Sequence, residues 1–127
     1  MLPVPPLPWE DPLRRQVLPE TLPDVIAGAN RVLLVPRSIV VKIQATHPAD
    51  FANLGRLAEL LDQWELVGLS PNRTDRLELY GQLDGVWHTA VIALASENAP
   101  YHVLLTFHRV YARKVMSRER HGRLRRR

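Results

Sequence analysis

Thr106, His108 and Arg109 stand together near the end of an alternating segment, and their side chains form a set that can do chemistry. An imidazole moves protons near neutral pH. A guanidinium holds a phosphate through two parallel hydrogen bonds. A hydroxyl two residues away can orient the group between them. Beside a basic surface, such a set points to phosphodiester chemistry on RNA. The charge distribution agrees. Residues 1–108 carry 8 Lys/Arg and 12 Asp/Glu, a net of −4, whereas residues 109–127 carry 9 and 1, a net of +8. The overall charge of +4 hides a basic end on an acidic body, with Arg113 and Lys114 in it, and predicts a polyanionic partner. The same arginines would also suit a merely solvated terminus.

Composition narrows the chemistry. The 127 residues include no cysteine, which excludes disulfides, thiolate metal sites and a cysteine nucleophile. No His/Asp/Glu spacing forms a recognisable metal set, and no cofactor motif is present, so neither a metal nor a small-molecule cofactor is expected. No stretch approaches the ~20 apolar residues of a membrane span. The N-terminus lacks a basic region followed by an apolar core. A soluble, cytoplasmic protein without a membrane partner is the expectation.

The elements that must position these residues follow from pattern. Residues 1–23 hold 7 of the 11 prolines and read as an extended arm outside regular structure, a linker or a docking segment. Residues 24–118 form the domain, and 119–127 a basic C-terminal tail. Residues 23–30 suit one helical turn. Arg31–Val35 reads as a strand ended by Pro36, and Ser38 as the N-cap of a helix over Ile39–Thr46. After His47-Pro48, the spacing of Phe51, Leu54, Leu57, Ala58 and Leu61 predicts one helix to about Gln63. Ser70–Asp75 reads as loop. Three strands follow, Arg76–Leu83, Val86–Ala95 and Tyr101–Arg109, with a turn over 96–100. Asp84-Gly85 is the signature of a two-residue type I′ hairpin. A closing helix over Tyr111–Arg120 frays into the tail. The fold class is α+β, with helices packed on one face of a small antiparallel sheet of three to four strands.

The hairpin fixes a register in which Tyr80 opposes Thr89 and Gly81 opposes His88. With a plain second loop, His88 would oppose His108. A one-residue bulge would instead move Thr106 and His108 to the face of Tyr80, and the sequence leaves both open. Arg76 and Tyr80 share one strand face and could contact substrate, Tyr80 by stacking on a base. It could equally pack at the edge of the core. His102 and His121 read as surface residues.

Three pieces of the chain, over about residues 31–118, resemble the phage-encoded nuclease-like domains of the barnase–EndoU–colicin–RelE group. They are Val32-Leu-Leu-Val-Pro-Arg-Ser-Ile-Val-Val-Lys42 with His47-Pro48, then Leu57–Leu61 through Val67, and lastly Leu79-Tyr80, Asp84-Gly85, Val91-Ile92 and Leu105-Thr106-Phe107-His108-Arg109. The resemblance implies metal-independent RNA cleavage, in which the substrate's own 2′-hydroxyl attacks the adjacent phosphorus. It adds His47 to His108, Arg109 and Thr106 as catalytic candidates. Apart from the resemblance, Lys42, Arg76, Tyr80, His88, Arg113 and Lys114 are candidate substrate contacts, though a lone helix lysine such as Lys42 is usually just solvated. The resemblance also implies an immunity protein, antitoxin or phage virion protein as further partner. Without it, His47 reads as an ordinary junction histidine.

One departure bears on activity. Such domains often carry a lysine on the middle strand after its valines, where this chain has Val91-Ile92-Ala93-Leu94. The alternative expectation is therefore a non-catalytic phage or mobile-element protein that binds nucleic acid, a virion component or a host protein.

Overall fold

The computed structural model describes residues 15–17, 32–70, 73–94 and 102–127. The helical turn expected over 23–30, the turn over 96–100, and the arm apart from residues 15–17 lie outside them. The architecture is α+β, with strands β1 (Arg15–Val17), β2 (Val32–Leu34), β3 (Leu66–Ser70), β4 (Arg73–Leu83), β5 (Val86–Ala93), β6 (His102–Arg109) and β7 (Arg125–Arg126). The α-helices are α1 (Arg37–Thr46), α2 (Pro48–Phe51), α3 (Leu57–Asp62) and α4 (Ala112–Arg120). Among the described residues, no helix is long and apolar enough to cross a membrane.

The sheet is larger than expected and mixed. Its order is β1-β2-β6-β5-β4-β3-β7, seven strands among the described residues. All described pairings are antiparallel except β2 with β6, which is parallel and spans only Leu33↔His102 and Leu34↔Val103. The central hairpin has the expected register, with Tyr80↔Thr89 and Gly81↔His88. Asp84 and Gly85 both adopt positive φ, 53° and 78°, which the tight turn requires. Arg56 donates to Asp84 at 2.5 Å and to Glu59 at 2.7 Å, tying the start of α3 to the hairpin tip. The same guanidinium holds the Asp84 carboxyl below the usual carboxylate range.

Helices cover both faces of the sheet, not one. Alternation places Leu77, Leu79, Ala90, Ile92, Leu104 and Phe107 on the face covered by α1–α3 through Val40, Ile43, Leu57, Leu60 and Leu61. The opposite row carries Leu66, Tyr80 and Trp87, which pack with Val115 of α4 and Leu124. Two glycines allow these approaches. A Cβ at Gly81 would lie 2.8 Å from Leu60 Cδ1 and 3.2 Å from the Gln63 carbonyl oxygen. A Cβ at Gly68 would lie on the Arg123 carbonyl oxygen, on the other face.

Several local expectations are corrected. The arm is not free of sheet, because Arg15–Val17 pairs with β2. Pro36, not Ser38, stands at the N-cap of α1, with no side-chain cap. Its carbonyl accepts from the amides of Ile39 and Val40, as a rigid extended residue can. The single helix expected after His47 is broken into α2, a 3-10 turn over Leu54–Arg56, and α3. The expected loop over 70–75 gives way to strand β3 through Ser70 and to β4 from Arg73. His102 is buried. The basic C-terminal segment does not trail away. Gly122, at φ 76°, turns it back, Leu124 is buried, and β7 pairs with β3. Arg126 meets Glu119 at 2.5 Å, and Arg127 Nη1 donates to the Asp62 carbonyl at 2.8 Å.

Candidate functional site

The site forms at the margin of the sheet, along β6 beyond its short pairing with β2. Between Val91↔Thr106 and Ile92↔Leu104, β6 spends two steps on one of β5, so Leu105 is an extra residue. Lys42 Nζ lies 3.5 Å from the Leu105 carbonyl oxygen. The bulge decides the open question of register. His108 opposes Thr89, in the row of Tyr80, and His88 opposes Arg109 rather than His108.

The helical side is set by Pro48. A residue before proline is driven out of the α region, and His47 has φ −136° and ψ 60°. Helix α1 therefore ends at Thr46, and α2 restarts with Pro48 in its first turn. This break turns the His47 ring to the β6 margin, where it stacks on His108 with centroids 4.7 Å apart and planes 20° from parallel. One turn on, Asp50 is 5% exposed and accepts from Arg109 Nε at 2.7 Å. Its other oxygen, Oδ2, lies 3.9 Å from His47 Nδ1, ion-pair range rather than a hydrogen bond. Consecutive residues of β6, His108 and Arg109, thus engage the two ends of one His-x-x-Asp segment.

His108 Nδ1 donates to the Arg109 carbonyl at 2.8 Å, which in the neutral ring leaves Nε2 as the acceptor. Arg109 uses Nε on Asp50, and its terminal amino groups have no hydrogen-bond partner among the described residues. A cleft of about 560 Å³ opens here, lined by His47, Asp50, Val86, Arg109, Val110 and Tyr111. The Val110 amide donates to the Trp87 carbonyl at 2.9 Å, which anchors the turn that presents Tyr111. The lining set can place a base, a cation and hydrogen-bond donors around one anion.

His47, His108 and Arg109 come together, with Thr106 on the same strand and Lys42 at its bulge. Arg76, Tyr80 and His88 do not line this cleft. Tyr80 is buried and donates to Glu78 Oε1 at 2.8 Å, while Arg118 Nη1 donates to its hydroxyl. Burial, with the Glu78 carboxylate next, pushes its phenol up to about 12. His88 is buried against Phe107, its Nδ1 on the Val86 carbonyl at 2.8 Å. Arg113 and Lys114 line a separate groove with Ser117, Arg118 and Arg123. Sequence reasoning missed Asp50 and Tyr111. The signal for Asp50 was its i, i+3 spacing from His47 across a proline at a helix start, and Tyr111 gave none.

Among the described residues, no group of three His, Asp or Glu is arranged to hold a metal ion. Compared with known family models, curated proteins and solved structures, the chain matches none. The likeness to the barnase–EndoU–colicin–RelE group rests on its sequence motifs alone.

Proposed function

We propose that the chain is a metal-independent, toxin-like endoribonuclease, related in reaction type to that nuclease group. The observation that carries this reading is that His47 and Arg109 line one cleft while His108 stacks on His47 at its margin, with its Nδ1 on the Arg109 carbonyl. In this reading the terminal amino groups of Arg109 hold the scissile phosphate. His108 Nε2 takes the proton of the 2′-hydroxyl, the O2′–P bond forms, and the P–O5′ bond breaks. The products are a 2′,3′-cyclic phosphate and a 5′-hydroxyl. With the rings stacked, His47 lies on the same side as His108, so the proton for O5′ comes from water at the cleft mouth. Asp50 positions Arg109. The reading carries with it a cytoplasmic site of action and an immunity, antitoxin or virion partner.

A second reading is a phage or mobile-element protein that binds nucleic acid without cutting it. Two observations favour it: Val91-Ile92-Ala93 stands where a lysine is expected, and the stacked rings leave no room for a phosphate between them. Incubation of pure protein with total RNA in EDTA separates the readings. The nuclease reading expects fragments ending in cyclic phosphate, and intact RNA with retained binding supports the second.

A further inference from the structure

The candidate cleft and the basic groove on α4 share a boundary. Tyr111, which lines the cleft, is 73% exposed, an unusual place for a large aromatic ring. Arg113 sits over that ring, its Cζ 5.5 Å from the centroid, and lines the groove of about 470 Å³ with Lys114, Ser117, Arg118 and Arg123. Among the described residues, no carboxylate lines this groove. Residues 113–114 and 117–118 are one helical turn apart, roughly 6 Å along the axis. The groove is rigid for a surface feature, because Val115 is buried beneath α4 and Arg118 reaches the Tyr80 hydroxyl.

We propose that Tyr111 stacks on a nucleobase next to the phosphate held in the cleft, and that the α4 groove takes the following phosphates of a single RNA strand. This deepens the RNA reading above and rests on it. The commitment to a single strand follows from chemistry. Base faces are available for stacking only where bases are unpaired, and a tyrosine with a cation beside it is a sequence-tolerant platform. A duplex would offer the groove phosphates but nothing to Tyr111.

The test separates base from backbone. A fluorescein-labelled 2′-O-methyl RNA strand, which cannot be cleaved by its own 2′-hydroxyl, is titrated by fluorescence anisotropy. A strand of the same length carrying abasic residues and a blunt duplex are the other probes. Tyr111→Ala should weaken binding of the base-bearing strand by about 5- to 150-fold, with an unchanged salt slope. It should leave the abasic strand unaffected, and Tyr111→Phe should restore binding. Lys114→Gln and Arg123→Gln should each lower the salt slope by about 0.7 on both strands. Equal losses on the base-bearing and abasic strands, no loss on either, or tighter binding of the duplex would overturn the inference while leaving an RNA-binding cleft. Wild-type protein that binds no probe overturns the RNA reading as well.

Discussion

The imidazoles of His47 and His108 lie face to face, 4.7 Å between centroids. One is held out by the proline that follows it, the other by a bulge three residues before it. Two rings in contact cannot flank a phosphate, and two imidazoliums so close would repel. His47 therefore holds His108 by stacking rather than acting across the phosphorus, and His47→Ala should slow cleavage less than His108→Ala. Pro48→Ala should release His47 from its restricted backbone and slow cleavage by up to about 10²-fold with little change in RNA affinity. Single-turnover rates of wild type and the His47, His108 and Pro48 variants check this. Equal losses for His47→Ala and His108→Ala would show that the rings part and work on opposite sides.

Asp50 is buried while the Arg109 side chain is 53% exposed, so the pair is asymmetric. Arg109→Ala leaves a carboxylate buried without its main partner, at a cost of about 1–3 kcal/mol. Asp50→Asn keeps the volume and should cost less, yet lower the rate by freeing the guanidinium. A double-mutant cycle in urea denaturation should give a coupling of about 1 kcal/mol or more. Strict additivity would mean the contact contributes nothing.

Tyr80 gives the stability an alkaline limit. Its phenol is held up at about 12 in the fold, against about 10 in an unfolded chain. Between these values the unfolded chain has released a proton that the folded one keeps, so stability is intact below pH ~10 and falls as pH rises towards 12. Urea midpoints measured over that window should decline, and Tyr80→Phe should flatten the decline.

Gly68 and Gly81 mark close approaches on opposite faces. Gly68→Ala forces a methyl onto the Arg123 carbonyl and should cost about 1–3 kcal/mol by displacing the C-terminal segment. Gly81→Ala meets the movable end of Leu60 first and should cost less. Leu124→Ala should cost about 2–4 kcal/mol, since that side chain is 6% exposed beneath the sheet. A Leu124 variant as stable as wild type would mean the segment is not docked in solution.

The hairpin was legible because Asp-Gly turn chemistry and strand alternation fix a register with no help from distant residues. The β6 bulge was not, because Leu105 is an ordinary strand residue and its displacement depends on α1 packing beside it. The pairing of β2 with β6, and of β7 with β3, joins segments far apart in sequence, where local pattern carries no signal. The Arg-rich ending hid a single informative residue, Leu124, whose burial turns a basic tail into an edge strand. Of the cleft, His108 and Arg109 stood out by type and adjacency, and His47 only through the family resemblance. Asp50 resembled a helix-start acid, and only the fold shows that it joins both histidine and arginine.

The most direct test of the central claim is single-turnover cleavage of a labelled RNA in EDTA by wild-type protein and His108→Ala. Wild type should give products with 2′,3′-cyclic phosphate ends, and the variant should lose about 10²-fold or more while its melting curve stays close to wild type. Equal cleavage by both proteins, or none by either on any RNA class while RNA is still bound, would contradict it.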